Sequence, residues 1–214
     1  MTCEKNLKNM KTYNLPRGYL SYSAYSLWKS SKDQYRKRYY LNEPSFQSAE
    51  TVFGKKVHEK FEKDDYVVGS ETMIEVDLTP ELKLLGYIDS FNIDNLSFVD
   101  YKTGHLSKAG KVPWDNLKVR KHKQLVFYSL LIRIKYGSYN KKAQLHWIET
   151  EFTKETREFD GHILEATSRK LGLTGREEVF NREIAEWELD LLKEDIISVA
   201  EAISEDYTLW QNQN

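Results

Sequence analysis

The stretch LKLLGYIDSFNIDNLSFVDYKTG, residues 82–104, decides the fold, because it is patterned as two strands joined by a tight turn. Asp94 and Asn95 tolerate positive φ and suit a two-residue hairpin loop. With that loop, Ile93 stands opposite Leu96, Phe91 opposite Phe98 and Asp89 opposite Asp100. Side chains alternate across the pleat, so these pairs share one sheet face with Tyr87 and Lys102. Cross-strand β-carbons lie about 4.5–5.5 Å apart, and two carboxylates at that spacing repel unless a cation sits between them. Lys102 supplies one positive charge. A divalent ion held by both carboxylates fits better, since hard cations take oxygen ligands. The competing reading is that both acids stand in water near a strand end and pair with Lys102.

On either side of this hairpin the period changes. TMIEVDLT, 72–79, reads as a strand before it. Residues 21–41 carry Ser, aromatic and basic residues at helical spacing, with Ser21 or Ser23 as N-cap. Residues 48–64 read as a second helix with an apolar stripe of Val52, Val57 and Phe61, and with His58 and Glu62 one turn apart. After the hairpin, residues 117–136 return to helical periodicity, with Asn116 as cap and Leu117, Leu125, Tyr128, Leu131 and Ile132 as the apolar set. KAQLHWIETEFT, 142–153, alternates as a further strand on which TREF, 156–159, pairs back. The end, from about 176 to 207, has the pattern of a long amphipathic helix. Strands, a crossover helix and another strand predict an α/β fold with a central mixed β-sheet flanked by α-helices. With no repeat or Gly/Ser linker, residues 1–214 form one expected domain, its core at about 20–155 and a helical C-terminal part at about 160–210.

Composition narrows the function classes. The 214 residues include one cysteine, Cys3, so neither a disulfide framework nor a cysteine-ligated cluster can be built within the chain. No segment has the roughly 20 apolar residues of a membrane span. A soluble, cytoplasmic setting is expected, or the host cell interior if the chain is virus-encoded. The net charge of −1 conceals local bias. Residues 29–38 and 102–123 are basic, and residues 183–206 are mostly acidic. Trp28, Tyr25 and Tyr35 have the chemistry to stack on bases, but at helical spacing they read as core.

Four short patterns then occur in order: GKKVH at 54–58, GYID at 86–89, DYK at 100–102 and QLVFY at 124–128. In this order, on a helix, two strands and a helix, they resemble the RecB-type branch of the PD-(D/E)XK nuclease superfamily over roughly residues 20–137. The resemblance implies a restriction-endonuclease-like core and a metal-dependent nuclease. Asp89 and Asp100 would ligate Mg²⁺ or Mn²⁺, with His58 and the backbone carbonyl of Tyr101 as further ligands. Lys102 would orient and polarise the attacking water. Gln124 and Tyr128, at i and i+4, share a helix face and would support the site or contact the DNA backbone. The chemistry agrees, since phosphodiester hydrolysis needs a nucleophile at neutral pH and charge neutralisation on the phosphate. Many relatives of this type hold an iron–sulfur cluster on cysteines; here none is expected.

Arg120, Lys121 and Lys123, with Arg36, Lys37, Arg38 and Lys118, are phosphate-type contacts by chemistry. The expected partner is DNA, single- or double-stranded, and not a membrane. No phosphate loop, helix-turn-helix or zinc finger is present in the sequence, so base-specific reading is not expected. The leading expectation is a deoxyribonuclease of repair, recombination or phage DNA processing, favouring exonuclease over endonuclease. The alternatives are a non-catalytic DNA-binding or scaffold protein of the same fold and an RNA-directed or defence-related nuclease.

Overall fold

Two sheets meet at Asp89, and the chain crosses from one to the other there. The computed structural model describes residues 12–44, 52–53, 71–159 and 162–213. Strands β1 (Leu20–Ser21), β2 (Thr72–Thr79) and β3 (Leu82–Ile88) form a sheet in the order β1-β3-β2. Strand β3 is antiparallel to β2 and parallel to β1. Strands β4 (Ser90–Asn92) and β5 (Ser97–Gly104) open a second sheet, completed by β6 (Lys142–Phe159) and β7 (His162–Glu183) in the order β4-β5-β6-β7. Strand β5 is antiparallel to β4 and parallel to β6, so this sheet is mixed.

The strand expected over 82–93 therefore changes sheet midway. Its register is as expected, with Ser90 opposite Val99 and Phe91 opposite Phe98. The connecting loop is longer than two residues, because pairing stops at Asn92 and Ser97. Within the loop the Asn92 and Asn95 side chains accept hydrogen bonds from the Asp94 and Ser97 amides, and Leu96 takes the positive φ of 55°. These side-chain bonds give the backbone an alternative to the ladder, so Ile93 and Leu96 are not a ladder pair.

Helix α1 (Tyr22–Ser30) starts at the expected cap, the Ser21 hydroxyl accepting from the Ala24 amide. The single helix expected over 21–41 is broken at Ser31, which is extended and whose hydroxyl accepts from the Gln34 amide to start α2 (Lys32–Tyr39). Tyr25, Trp28 and Tyr35 are buried, as their spacing indicated, and Trp28 and Tyr35 meet edge to face. Of the helix expected over 48–64, all but residues 52–53 lies outside the described residues, and so do His58 and Glu62.

The crossover between β5 and β6 is also two helices, α3 (Asn116–Lys121) and α4 (Lys123–Tyr136), parted at the extended residue His122. The cap of α3 is Asp115 rather than Asn116, and Leu117 is 61% exposed while Val119 is buried. Every residue from 125 to 132 is buried, so α4 lies inside the molecule rather than on its surface. Gly137, at φ 72°, ends it in the left-handed conformation that suits glycine.

TREF does not pair back. It prolongs β6 to Phe159, and β7 pairs along it from His162 to Glu183. Residues 176–183, expected to be helical, are the last part of β7, and the C-terminal helix α5 (Glu186–Gln211) begins only after them. The cause is nonlocal: Ala143, Leu145 and Trp147 of β6 are fully buried, and the backbone groups between them need a strand on each side. Helix α5 keeps the amphipathic pattern, burying Leu189, Leu192, Ile196, Val199, Ala200 and Ile203. Among the described residues, no helix is long and apolar enough to cross a membrane.

Candidate active site

Pairing of β3 with β2 finishes at Ile88, and pairing of β4 with β5 starts at Ser90, which leaves Asp89 as the residue of the crossing. The residue is 8% exposed, and its carboxylate accepts a hydrogen bond from the Tyr101 amide on β5, at 2.8 Å. Asp100, the next residue back along β5, is fully buried. The two acids are thus brought together at the junction of the two sheets.

Burial alone would push the Asp100 carboxyl up. The neighbouring Lys102 charge and His122 outweigh that and hold it below the usual carboxylate range. Lys102 Nζ lies 2.8 Å from each Asp100 oxygen but has hydrogen-bond geometry only to Oδ1. Asp100 Oδ2 is therefore buried without a hydrogen-bond donor, with His122 Nε2 3.6 Å away and likewise without one. The Lys102 side chain is a quarter exposed, so its ammonium can leave Asp100 for solvent or for a ligand.

A cleft of about 390 Å³ opens above these residues, lined by Tyr87, Asp89, Asp100, Lys102, Gln124 and Tyr128. Gln124 and Tyr128 come from the first turns of α4, where Gln124 Nε2 donates to the Tyr128 hydroxyl at 2.6 Å. Burial first, then the Asp100 charge, push the Tyr128 hydroxyl up, so it stays protonated and can donate. Gly86 allows this close assembly. A β-carbon there would clash with Leu131 of α4, so the bare glycine lets the helix settle on β3.

Three residues that the sequence did not single out also face the site. Arg17 and Glu71 line the cleft, as does Arg38, and both guanidinium groups lie over the Tyr39 ring, at 4.7 and 5.6 Å. His122 reaches Asp100 from behind, its ring set against Trp114 and Tyr22. Its position two residues before Gln124 was the available signal; Arg17 and Glu71 lie outside any periodic pattern.

Other expected contacts lie elsewhere. Arg36 is committed to Asp206 through two nitrogens. Lys118 Nζ donates to the Pro113 carbonyl. Arg120, Lys121 and Lys123 line a separate groove beside the start of α5, not the cleft.

The donor set suits a hard divalent cation: two carboxylates at one junction, one carrying a buried oxygen with no donor. Among the described residues, no group of three or more His, Cys, Asp or Glu side chains is gathered tightly enough to hold an ion. His58, expected as a further ligand, lies outside the described residues.

The family model of the PD-(D/E)XK nuclease superfamily matches residues 27–214. No curated protein sequence matches the chain. Among solved structures, the chain is similar to a phage-related exonuclease from Haemophilus somnus 129PT, with a TM-score of 0.55 and 13% identity over 86% of this chain and 83% of that one. It is also similar to an alkaline exonuclease from Laribacter hongkongensis, with a TM-score of 0.52 and 9% identity over 92% of this chain and 93% of that one.

Proposed function

The chain belongs to the PD-(D/E)XK nuclease superfamily, and from that premise we propose that it hydrolyses DNA phosphodiester bonds with the help of Mg²⁺ or Mn²⁺, acting from strand ends. The observation that carries the reading is the buried Asp100 oxygen without a donor, next to Asp89 and Lys102 on the wall of an open cleft. Lys102 already supplies this buried carboxylate with one positive charge, and a divalent cation would take its place as partner when the ammonium turns to a ligand.

Asp89 and Asp100 would hold the metal, which when bound neutralises phosphate charge and lowers the pKa of a coordinated water. Lys102, released from Asp100, would place its ammonium beside that water and stabilise charge that builds in the transition state. Gln124 and Tyr128 would present donors to the phosphodiester, and Arg17 and Arg38 would hold the backbone at the mouth of the cleft. The solved exonucleases of similar fold support end-directed cutting, as does the lack of any base-reading motif in the sequence.

The test is incubation of purified protein with linear single- and double-stranded DNA and with RNA, in Mg²⁺, Mn²⁺ or EDTA. Metal-dependent loss of DNA is expected. Undiminished cleavage in EDTA after bound metal has been stripped, or no cleavage of any nucleic acid in either metal, would overturn the reading.

A further inference from the structure

We propose that the groove between α4 and the start of α5 is a second nucleic-acid site, which takes a single strand passing beyond the cleft. This rests on the nuclease reading and extends it from the reacting phosphate to the neighbouring nucleotides. The groove has a volume of about 360 Å³, with Val126, Leu191 and Leu192 as its apolar floor. Its wall is Trp187, whose side of the groove is open: the residue is 63% exposed. A large indole left in water beside an apolar slot has the form of a stacking platform, and every base offers a π-face to it.

Charge selects the occupant. Arg120 and Lys121 line the groove, are exposed and make no ion pair among the described residues, while Lys123 lines it while shared with Asp195 at 3.2 Å. The one carboxylate lining this groove, Glu188, is turned inward, bound by Arg182 Nη2 and by the Ala185 amide. Cations and an exposed aromatic ring lining one groove suit a polyanion that carries bases better than they suit an acidic peptide, which has no use for a flat exposed ring.

Position ties the groove to the cleft. Lys123 lines the groove and the next residue, Gln124, lines the cleft, so the two open on different sides of the first turn of α4. The junction is rigid, because Arg182 Nη1 donates to the His122 carbonyl at 2.7 Å while its other nitrogen holds Glu188. A strand with one phosphate at Asp89 and Asp100 would reach Trp187 by turning around this end of α4.

The experiment uses the full chain in EDTA, at fixed salt, titrated with a short single-stranded oligothymidylate. Anisotropy reports affinity, and the share of the tryptophan quench that Trp187→Ala removes reports stacking, since Trp28 and Trp147 are buried and Trp114 and Trp210 are half-buried. The oligonucleotide should quench the wild type; Trp187→Ala should weaken binding about ten-fold and remove most of the quench, and Trp187→Phe should restore most of the affinity. Arg120→Glu should weaken binding and flatten its salt dependence. Wild-type affinity in both Trp187→Ala and Arg120→Glu, with melting unchanged, would overturn the proposal and leave the groove to a protein partner. The cleavage assay is read separately: a wild type that cuts DNA while the groove variants bind normally sinks the groove alone. Binding that depends on the groove in a protein that cuts nothing supports the groove and sinks the nuclease reading.

Discussion

Lys102 and Asp100 are held together without being locked together. The ammonium is 2.8 Å from the carboxylate but a quarter exposed, and the carboxylate is buried. Removing either should therefore cost chemistry before it costs the fold. Asp100→Asn and Lys102→Met are each expected to slow cleavage by about 10² to 10³ or more, with cooperative unfolding retained in urea. Loss of the folded state in both variants would instead make the pair a structural one. His122 offers a finer test at the same scale, because its ring packs on Trp114 and Tyr22 while Nε2 faces Asp100 at 3.6 Å. His122→Phe keeps the ring and removes the polar atom. Activity should fall about 10- to 100-fold, with more metal needed for half-maximal rate, as happens when a group orienting a metal-binding carboxylate is lost. An unchanged metal requirement would assign His122 to packing alone.

Among the elements, α4 and α5 decide whether the cleft forms at all. Helix α4 rests on β3 at Gly86, where Leu131 and Tyr128 occupy the space a side chain would take. Gly86→Ala should destabilise the protein by about 1–3 kcal/mol through overpacking, seen as a lower urea midpoint. It should also displace Tyr128 from the cleft; unaltered stability would mean that Leu131 has another rotamer to use. Helix α5 is tied across α1 and α4 by Asp195, which accepts from Tyr25, Lys29 and Lys123. Partial burial pushes the Asp195 carboxyl up, and these three donors more than reverse that, leaving it at about 2 against an ordinary 3.8. A depressed carboxyl pKa adds stability that is complete above the unfolded value and is lost as pH falls through the folded one. The contribution of Asp195 should thus be full above about pH 4 and gone below about pH 2. Urea midpoints measured across that window should converge for wild type and Asp195→Asn at the acid end, and a gap that persists there would remove Asp195 from the account.

At the scale of the whole molecule, part of the acidity of α5 is neutralised by ion pairs with other elements. Its Asp195, Asp206 and Asp190 are spent on Lys29, Lys123, Arg36 and Arg133, which explains how an almost neutral chain can still offer cationic surfaces at the cleft and the groove. With no base-reading motif in the sequence, a strand end is the simplest feature for the proposed nuclease to select. Linear DNA, single- or double-stranded, should be degraded while covalently closed circles of the same sequence survive. Nicking or linearising of circles at a comparable rate would turn the assignment to endonuclease.

The alternation of 82–104 was enough to set the register in which Phe91 stands opposite Phe98, because register in a hairpin is set by which face each side chain must occupy; the loop is longer than the two residues expected. Periodicity likewise found β2 and the amphipathic C-terminal helix, though not its start, and Ser21 was one of the two caps expected for α1. What local pattern could not supply were decisions taken between distant parts of the chain. Ser31 and His122 break helices through bonds and packing that a continuous helical pattern hides, and residues 176–183 become a strand because buried β6 needs a neighbour. Arg17, Glu71 and His122 join the site, while Arg36 is withdrawn from it by Asp206, for the same reason. The sequence by itself determined the chemistry of the strands, whose side-chain direction has a period of two; only the tertiary structure decided which cations remain for a ligand, since an ion pair depends on where two remote side chains finally meet.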